Sequence, residues 1–382
     1  MKFLCSAILF ACLVPGQDQT SGSFDDLAAR AQASVDSNPA EAVTLFQEAL
    51  ALRPSWSEGW MYLGGDLYGL HRYSEARDAF RKGIALAPGI GTAYGFLGLC
   101  EYELGDFKQA LMDIGQGEAL GLGPNLRFEI MVRQRAALVM IREQAYDEAL
   151  AQLGPLSHKG ADSPDIVVAI GLCALTLPRK PEALTADERK VVELAGRATW
   201  ANMSRKSSEA EAGFRELMSK YPEFPGVHYA YGVYQMELDQ RVALEEFEKE
   251  LKNNPAHGPS MLVVAFLKTR DGDPESGIQM TEKAMRLQPA RNRWIGNTAI
   301  GQAYLTMGKP ALAIPELEAA VKQQPNNDSI HYFLGQAYRQ AGRKADAQRE
   351  RDEFVRLREH TDPRSMPAPP GMSRAESTAQ AQ

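Results

Sequence analysis

Little in this chain offers chemistry to a substrate. Of 382 residues only four are cysteine and six are histidine. Cys5 and Cys12 fall within the first sixteen residues, while Cys100 and Cys173 sit far apart, each inside an apolar helical run. Two remote cysteines make neither a disulfide framework nor a metal site, so both are expected as buried thiols. The histidines at 71, 158, 228, 257, 331 and 360 nowhere pair at ligand spacing on one helix. HExxH, GxSxG, the Walker GxxxxGK[ST] and CxxC are all missing. No enzyme class, metal or cofactor is supported. A basic excess is lacking too: 42 Lys and Arg stand against 49 Asp and Glu, mixed along the chain, which argues against nucleic acid as a partner.

Long hydrophobic runs are also absent. The two most apolar stretches, FLCSAILFACLV (3–14) and IVVAIGLCALTL (166–177), are too short to span a bilayer comfortably. The first follows Lys2 and precedes Pro15-Gly16 and a polar stretch, the order of a secretory signal. Val14 and Gly16 suit the −3 and −1 positions, so cleavage is expected after Gly16 and the mature chain is expected to be exported, periplasmic or secreted. The alternative is a lipoprotein signal anchored at Cys12, disfavoured by bulky Phe10 and by Leu13-Val14, which prolong the apolar core. A segment that stays attached would instead suit a cytoplasmic adaptor.

What the chain has in abundance is repetition. SEGWMYLGGDLYGLHRYSEARDAFRKGIALAPGI (57–90) carries Trp60, Leu63, Gly64 and Leu67 on one helical face. A turn follows at His71-Arg72, then a second amphipathic run with Ala76, Phe80 and Gly83, ending at Pro88. A shift of 34 residues brings the pattern back as Tyr94, Leu97, Gly98, Gly105, Ala110, Ile114 and Gly117. Residues 258–291, 294–327 and 328–361 repeat it, and 23–56 keeps Ala42, Phe46, Ala49 and Pro54. Small residues at positions 8, 20 and 27 let two helices approach closely, and large ones at 4, 7, 11 and 24 fill the space between layers. Glycine near 15 permits the turn, and proline at 32 stops the second helix.

This pattern resembles the tetratricopeptide repeat, W-x2-L-G-x2-Y, then A-x3-F, then A and P. The resemblance implies an all-α, right-handed superhelical solenoid of stacked antiparallel helix pairs. The expected division is a signal segment (1–16), an N-terminal block of about four repeats (17–153) and an irregular junction with one buried helix (154–188). A C-terminal block of about five repeats (189–360) and a disordered tail (361–382) follow. The stretch APGIGTAYGFLG (87–98) looks like a phosphate loop, but a nucleotide loop needs a strand before it, and RKGIALA reads as a helix end.

Tetratricopeptide arrays line their inner groove with positions 5, 9 and 12 of each first helix. Here that stripe reads Met61, Gly65 and Tyr68, then Gly95, Leu99 and Tyr102. Further on it reads Tyr229, Val233 and Met236, then Leu262, Phe266 and Thr269, and in the last copy Tyr332, Gln336 and Arg339. Aromatics and methionines there suit an extended protein segment. The Lys and Asn that clamp a terminal carboxylate in the chaperone-binding variety of the family are replaced by Met61, Gly65, Gly95 and Leu99. The expectation is a non-catalytic scaffold binding a protein or peptide partner, serving envelope assembly, secretion or a pilus-type apparatus. The alternative is a structural solenoid that assembles a homo-oligomer.

Overall fold

A computed structural model of the chain describes residues 21–287, 289 and 292–359. The expected signal segment (1–16), with Cys12, and the expected disordered tail (361–382) lie outside the described residues. The described residues are helical, with no strand among them. They divide into two compact units, one running up to Arg142 and including Asp147–Ala169, the other formed by Glu143–Tyr146 and the chain from Ile170 on.

In the first unit α1 (Ser21–Ser34) pairs with α2 (Pro39–Leu52), α3 (Ser57–Gly69) with α4 (Tyr73–Leu86), and α5 (Gly91–Leu104) with α6 (Phe107–Leu120). Then comes α7 (Leu126–Arg142). In the second unit α10 (Ala186–Met203) pairs with α11 (Ser207–Lys220), and α12 (Val227–Gln235) with α13 (Gln240–Asn253). The pairs α14 (Gly258–Arg270) with α15 (Pro274–Leu287), α16 (Arg293–Thr306) with α17 (Pro310–Gln323), and α18 (Asp328–Gln340) with α19 (Lys344–Glu359) complete it. Within each unit the second helix of a pair also packs on the first helix of the next, which is how a repeat buries the side its own partner leaves open.

The helices start and stop for local reasons. Asn38, Asp106, Asp239 and Asn327 each cap a helix by accepting a backbone N–H of its first turn, and Thr185 forms a reciprocal capping box with Glu188. The tight turn inside a pair needs a left-handed residue, supplied by Gly105, Gly272, Gly308 and Gly342 (φ between 67° and 95°). In two pairs His71 and Arg205 take that conformation instead, at φ 61° and 59°. Phe46, Phe80 and Ile114, one repeat apart, are fully buried in one continuous apolar core with Leu63, Leu67 and Leu97. Each such side chain is worth roughly 1.5–3 kcal/mol out of water.

Between the regular pairs lie α8 (Tyr146–His158) and α9 (Pro164–Ala174). Pro155, within the irregular junction expected at 154–188, is inside α8, where it removes one helical hydrogen bond without ending the helix. The expected buried helix is α9, with the Ser163 hydroxyl accepting Ile166 N–H and residues 166–176 buried. A Cβ on Gly171 would stand 1.9 Å from the Val192 carbonyl oxygen, so α9 meets α10 backbone to backbone. Cys100 and Cys173 are both buried, and burial pushes the Cys100 thiol up to about 12.

Position 8 of the repeat supplies a paired test. A methyl at Gly98 would meet Ile114 Cγ1 at 2.6 Å and the Ala110 carbonyl at 2.9 Å, whereas at Gly335 nothing lies closer than 3.4 Å. Gly98→Ala is expected to lower the urea-unfolding free energy by about 1–3 kcal/mol through overpacking. Gly335→Ala is expected to leave it unchanged or raise it by up to about 1 kcal/mol, because alanine favours helix over glycine.

Candidate functional site

The stripe of positions 5, 9 and 12 divides into residues the fold closes and residues it leaves open. Met61 and Leu99 are 2% and 0% exposed and belong to the first unit's core. Gly95 is buried as well, since a Cβ there would lie 2.8 Å from Phe128 Cζ and 3.0 Å from Leu122 Cδ2. These three expectations are therefore corrected: the positions carry packing. The cause is that α5 packs on α3 and α7 directly, and Leu122 and Phe128 of the following repeat fill the space above the α5 stripe.

Tyr68 and Tyr102, at position 12, remain half-buried. The Tyr68 ring lies 5.9 Å from Phe96 and 5.4 Å from Tyr73, and burial, reinforced by Glu103, holds its hydroxyl well above the usual tyrosine range. Tyr102 packs edge-on to Phe107 at 5.7 Å, with the Arg135 guanidinium 5.2 Å from its ring and Arg135 paired with Glu103 at 3.5 Å. Next to this, Arg133 bridges Glu118 (2.9 Å) and Glu129 (3.0 Å), and Lys159 holds the other Glu129 oxygen at 2.5 Å. Positions 5 and 9 of α7 are thus closed by charge.

The second unit is more open and more apolar. Val233 is 47% exposed, and Met236, Leu262 and Phe266 are half-buried. Tyr229, Met236, Val263 and Phe266 rest on a buried cluster of Ala243, Phe247, Val264 and Leu267, so the fold does bring the stripes of α12 and α14 together. The Tyr229 ring packs tilted against Phe247 at 5.6 Å and against His257 at 5.1 Å. Tyr332, Gln336 and Arg339 are on α18, separated from that patch by α16, which carries Thr298 and Gln302 at the same register. Tyr332 packs on Phe354 (5.6 Å), Gln336 is half-buried, and Arg339 is exposed.

Buried polar groups beside the stripe serve the scaffold. His228 Nδ1 meets Glu246 at 2.6 Å, and Glu246 also takes Lys249 at 2.7 Å. Glu250 accepts Gly226 N–H at 3.0 Å and so caps α12 from the neighbouring helix, burial raising its carboxyl above the ordinary range. His331 Nε2 lies 2.9 Å from the Pro325 carbonyl, which only accepts, so that nitrogen carries hydrogen, while Nδ1 meets Glu350 at 2.6 Å. Among the described residues no group of three or more His, Cys, Asp or Glu is arranged to hold a metal ion, and no helix is long and apolar enough to cross a membrane.

His257 is the residue sequence reading missed. Ser260 N–H donates to its Nδ1 (3.2 Å), so the hydrogen sits on Nε2 and points to Thr176 Oγ1 at 2.6 Å, whose own hydroxyl donates to Leu175 O. This ties the segment after α9 to the start of α14. The partners are 81 residues apart, and no local signal announces them.

The stacked antiparallel pairs define a class first: a helix-pair repeat protein. A family model described as tetratricopeptide repeat matches residues 63–125 and 298–349. The chain carries tetratricopeptide repeats in those two stretches. Among known proteins it is 23% identical over 158 residues to interferon-induced protein with tetratricopeptide repeats 2 of Cricetulus griseus. That match covers 40% of this chain and spans about a third of the relative's length (33%). Its backbone is similar to Pseudomonas aeruginosa pilF (18% identity, 47% of this chain, 82% of that one, TM-score 0.42). It is also similar to yeast Tom70 (11% identity, 90% of this chain, 78% of that one, TM-score 0.38).

His257 makes stability depend on pH in a stated direction. Burial lowers its pKa from the ordinary 6.5 to about 4. Below pH 6.5 the unfolded chain takes up a proton that the folded chain refuses, so stability present above 6.5 is lost as pH falls towards 4. The expected loss is on the order of 3 kcal/mol. His257→Asn, which keeps a helix cap but cannot titrate, is expected to flatten that part of the urea-unfolding profile relative to the parent.

Proposed function

We propose that this chain is a non-catalytic scaffold that binds an extended protein segment along its row of first helices. The apolar stripe of Val233, Met236, Leu262 and Phe266 carries this reading. Met236 and Phe266, seated on a packed cluster, offer adaptable contact area on a rigid support. The repeat class adds to it, since tetratricopeptide arrays in general bind protein partners. The second unit is the docking face. Tyr68, Tyr102 and Arg135 of the first unit form a separate aromatic and cationic surface suited to different side chains.

The compartment we infer is outside the cytoplasm, with a role in envelope assembly, secretion or a pilus-type apparatus. The support is the order of Lys2, the apolar run 3–14 and Pro15-Gly16. Mass spectrometry of the natural protein is expected to find a chain starting at Gln17. A start at Cys12 with added lipid mass would replace secretion by anchoring, and an intact Met1 would remove export altogether.

The binding reading is tested with a photo-crosslinking residue in place of Leu262 in the full chain, expressed in its own cell. One discrete adduct is expected, reduced about tenfold or more by Phe266→Ala and left unchanged by Arg339→Ala. Adducts insensitive to Phe266→Ala would sink the assignment of the stripe.

A further inference from the structure

In a repeat array each pair is held by its neighbours alone, so it can shift and open against the next. The second unit carries contacts outside that rule. The residues just after α9 and the short segment Glu143–Tyr146, which belongs to the same unit, meet the starts of three first helices in succession.

The first contact is at α12. Gly226 takes φ 84° immediately before the helix, and a Cβ there would stand 2.2 Å from the Leu175 carbonyl oxygen, so the two backbones touch. The second is at α14, where His257 heads the helix and its Nε2 donates to Thr176 Oγ1 at 2.6 Å. The His257 ring also packs against Tyr229 of α12 at 5.1 Å, which joins both helices at one point. The third is at α16. Asn292 heads that helix without capping it through its side chain, and its Nδ2 instead donates to the Gln144 carbonyl at 3.1 Å. These two hydrogen bonds join residues 81 and 148 apart, well beyond the single repeat that separates neighbours in a stack.

Gln144 and Thr176 are both non-glycine residues in the left-handed region, at φ 58° and 51°. A β-branched residue seldom adopts it, and such a conformation persists where the surrounding contacts over-determine it. The Thr176 hydroxyl is engaged on both sides, donating to Leu175 O at 2.8 Å while accepting from His257.

We propose that Leu175, Thr176 and Gln144 form a brace that fixes the spacing of α12, α14 and α16, so that these three repeats flex and open as one block while the α18–α19 pair moves separately. For the α12–α14 face the consequence is a preset distance between its two stripes, which lowers the ordering cost of a segment laid across them.

Native-state hydrogen exchange of the full chain, followed by mass spectrometry in low urea, tests the brace. Amides in the interiors of α12, α14 and α16 are expected to exchange with one shared urea dependence, and those of α18 with another. Thr176→Ala, which deletes the hydroxyl, is expected to speed exchange in α12 and α14 at least tenfold and to leave α18 unchanged. Thr176→Ser, which keeps the hydroxyl, is expected to restore the natural rates. Asn292→Ala, a change remote from the Thr176 turn, is expected to separate α16 from the block and speed its exchange at least tenfold. Unrelated urea dependences for α12, α14 and α16 in the natural chain would overturn the proposal. So would indifference of α14 to Thr176→Ala or of α16 to Asn292→Ala, no rescue by serine, or an α18 accelerated as much as α14. Exchange is read on the chain alone, so its outcome is separate from the Leu262 crosslink that tests the binding face.

Discussion

A pair of helices in this protein can satisfy only one of its two apolar sides, and everything else follows from that. The second helix of each pair must find the first helix of the next, so the small residues at the contacts set how closely successive layers approach. Gly98 against Ile114 and the Ala110 carbonyl shows how little room is left. Gly171 against the Val192 carbonyl shows the same constraint where the regular repeat lapses. At both contacts the backbones are too near for any larger side chain to stand between the helices.

Buried polar groups here behave as fasteners. Glu250 caps a helix that is not its own, His257 ties the segment after α9 to α14, and Arg133 with Lys159 neutralises Glu118 and Glu129 between three helices. Each links two segments of the scaffold through named partners, so each rigidifies a joint. The aromatic and methionine side chains on the row of first helices stand apart from these networks and face outward on a firm base.

The architecture was legible in the sequence because it is local. Positions 4, 7, 8, 20, 24 and 27 read the same way in every clean copy, since each meets its own partner helix at a fixed offset. The face was legible only in part. Met61, Gly95 and Leu99 share register with Val233, Leu262 and Phe266, yet the first group is closed and the second open. The difference lies in the next repeat: Phe128 and Leu122 cover α5, while the nine-residue α12 leaves Val233 in water. Phe96, at position 6, went unremarked although it stacks on Phe80 at 5.2 Å and meets Phe128 at 4.4 Å. Its role depends on a ring from the repeat after it, information a single period does not contain.

The open neighbourhood of Gly335 has a bearing on how the molecule folds. Contacts between adjacent repeats are short in sequence, so folding in each unit has little loop closure to wait for and can spread pair by pair from any well-packed nucleus. The last pair has a loosely met glycine and a second helix rich in charge, so substitutions at that contact disturb its packing less than those at Gly98. Room at this one glycine, set against the crowding at Gly98, means that the same position of the repeat tolerates a larger side chain in one copy and refuses it in another.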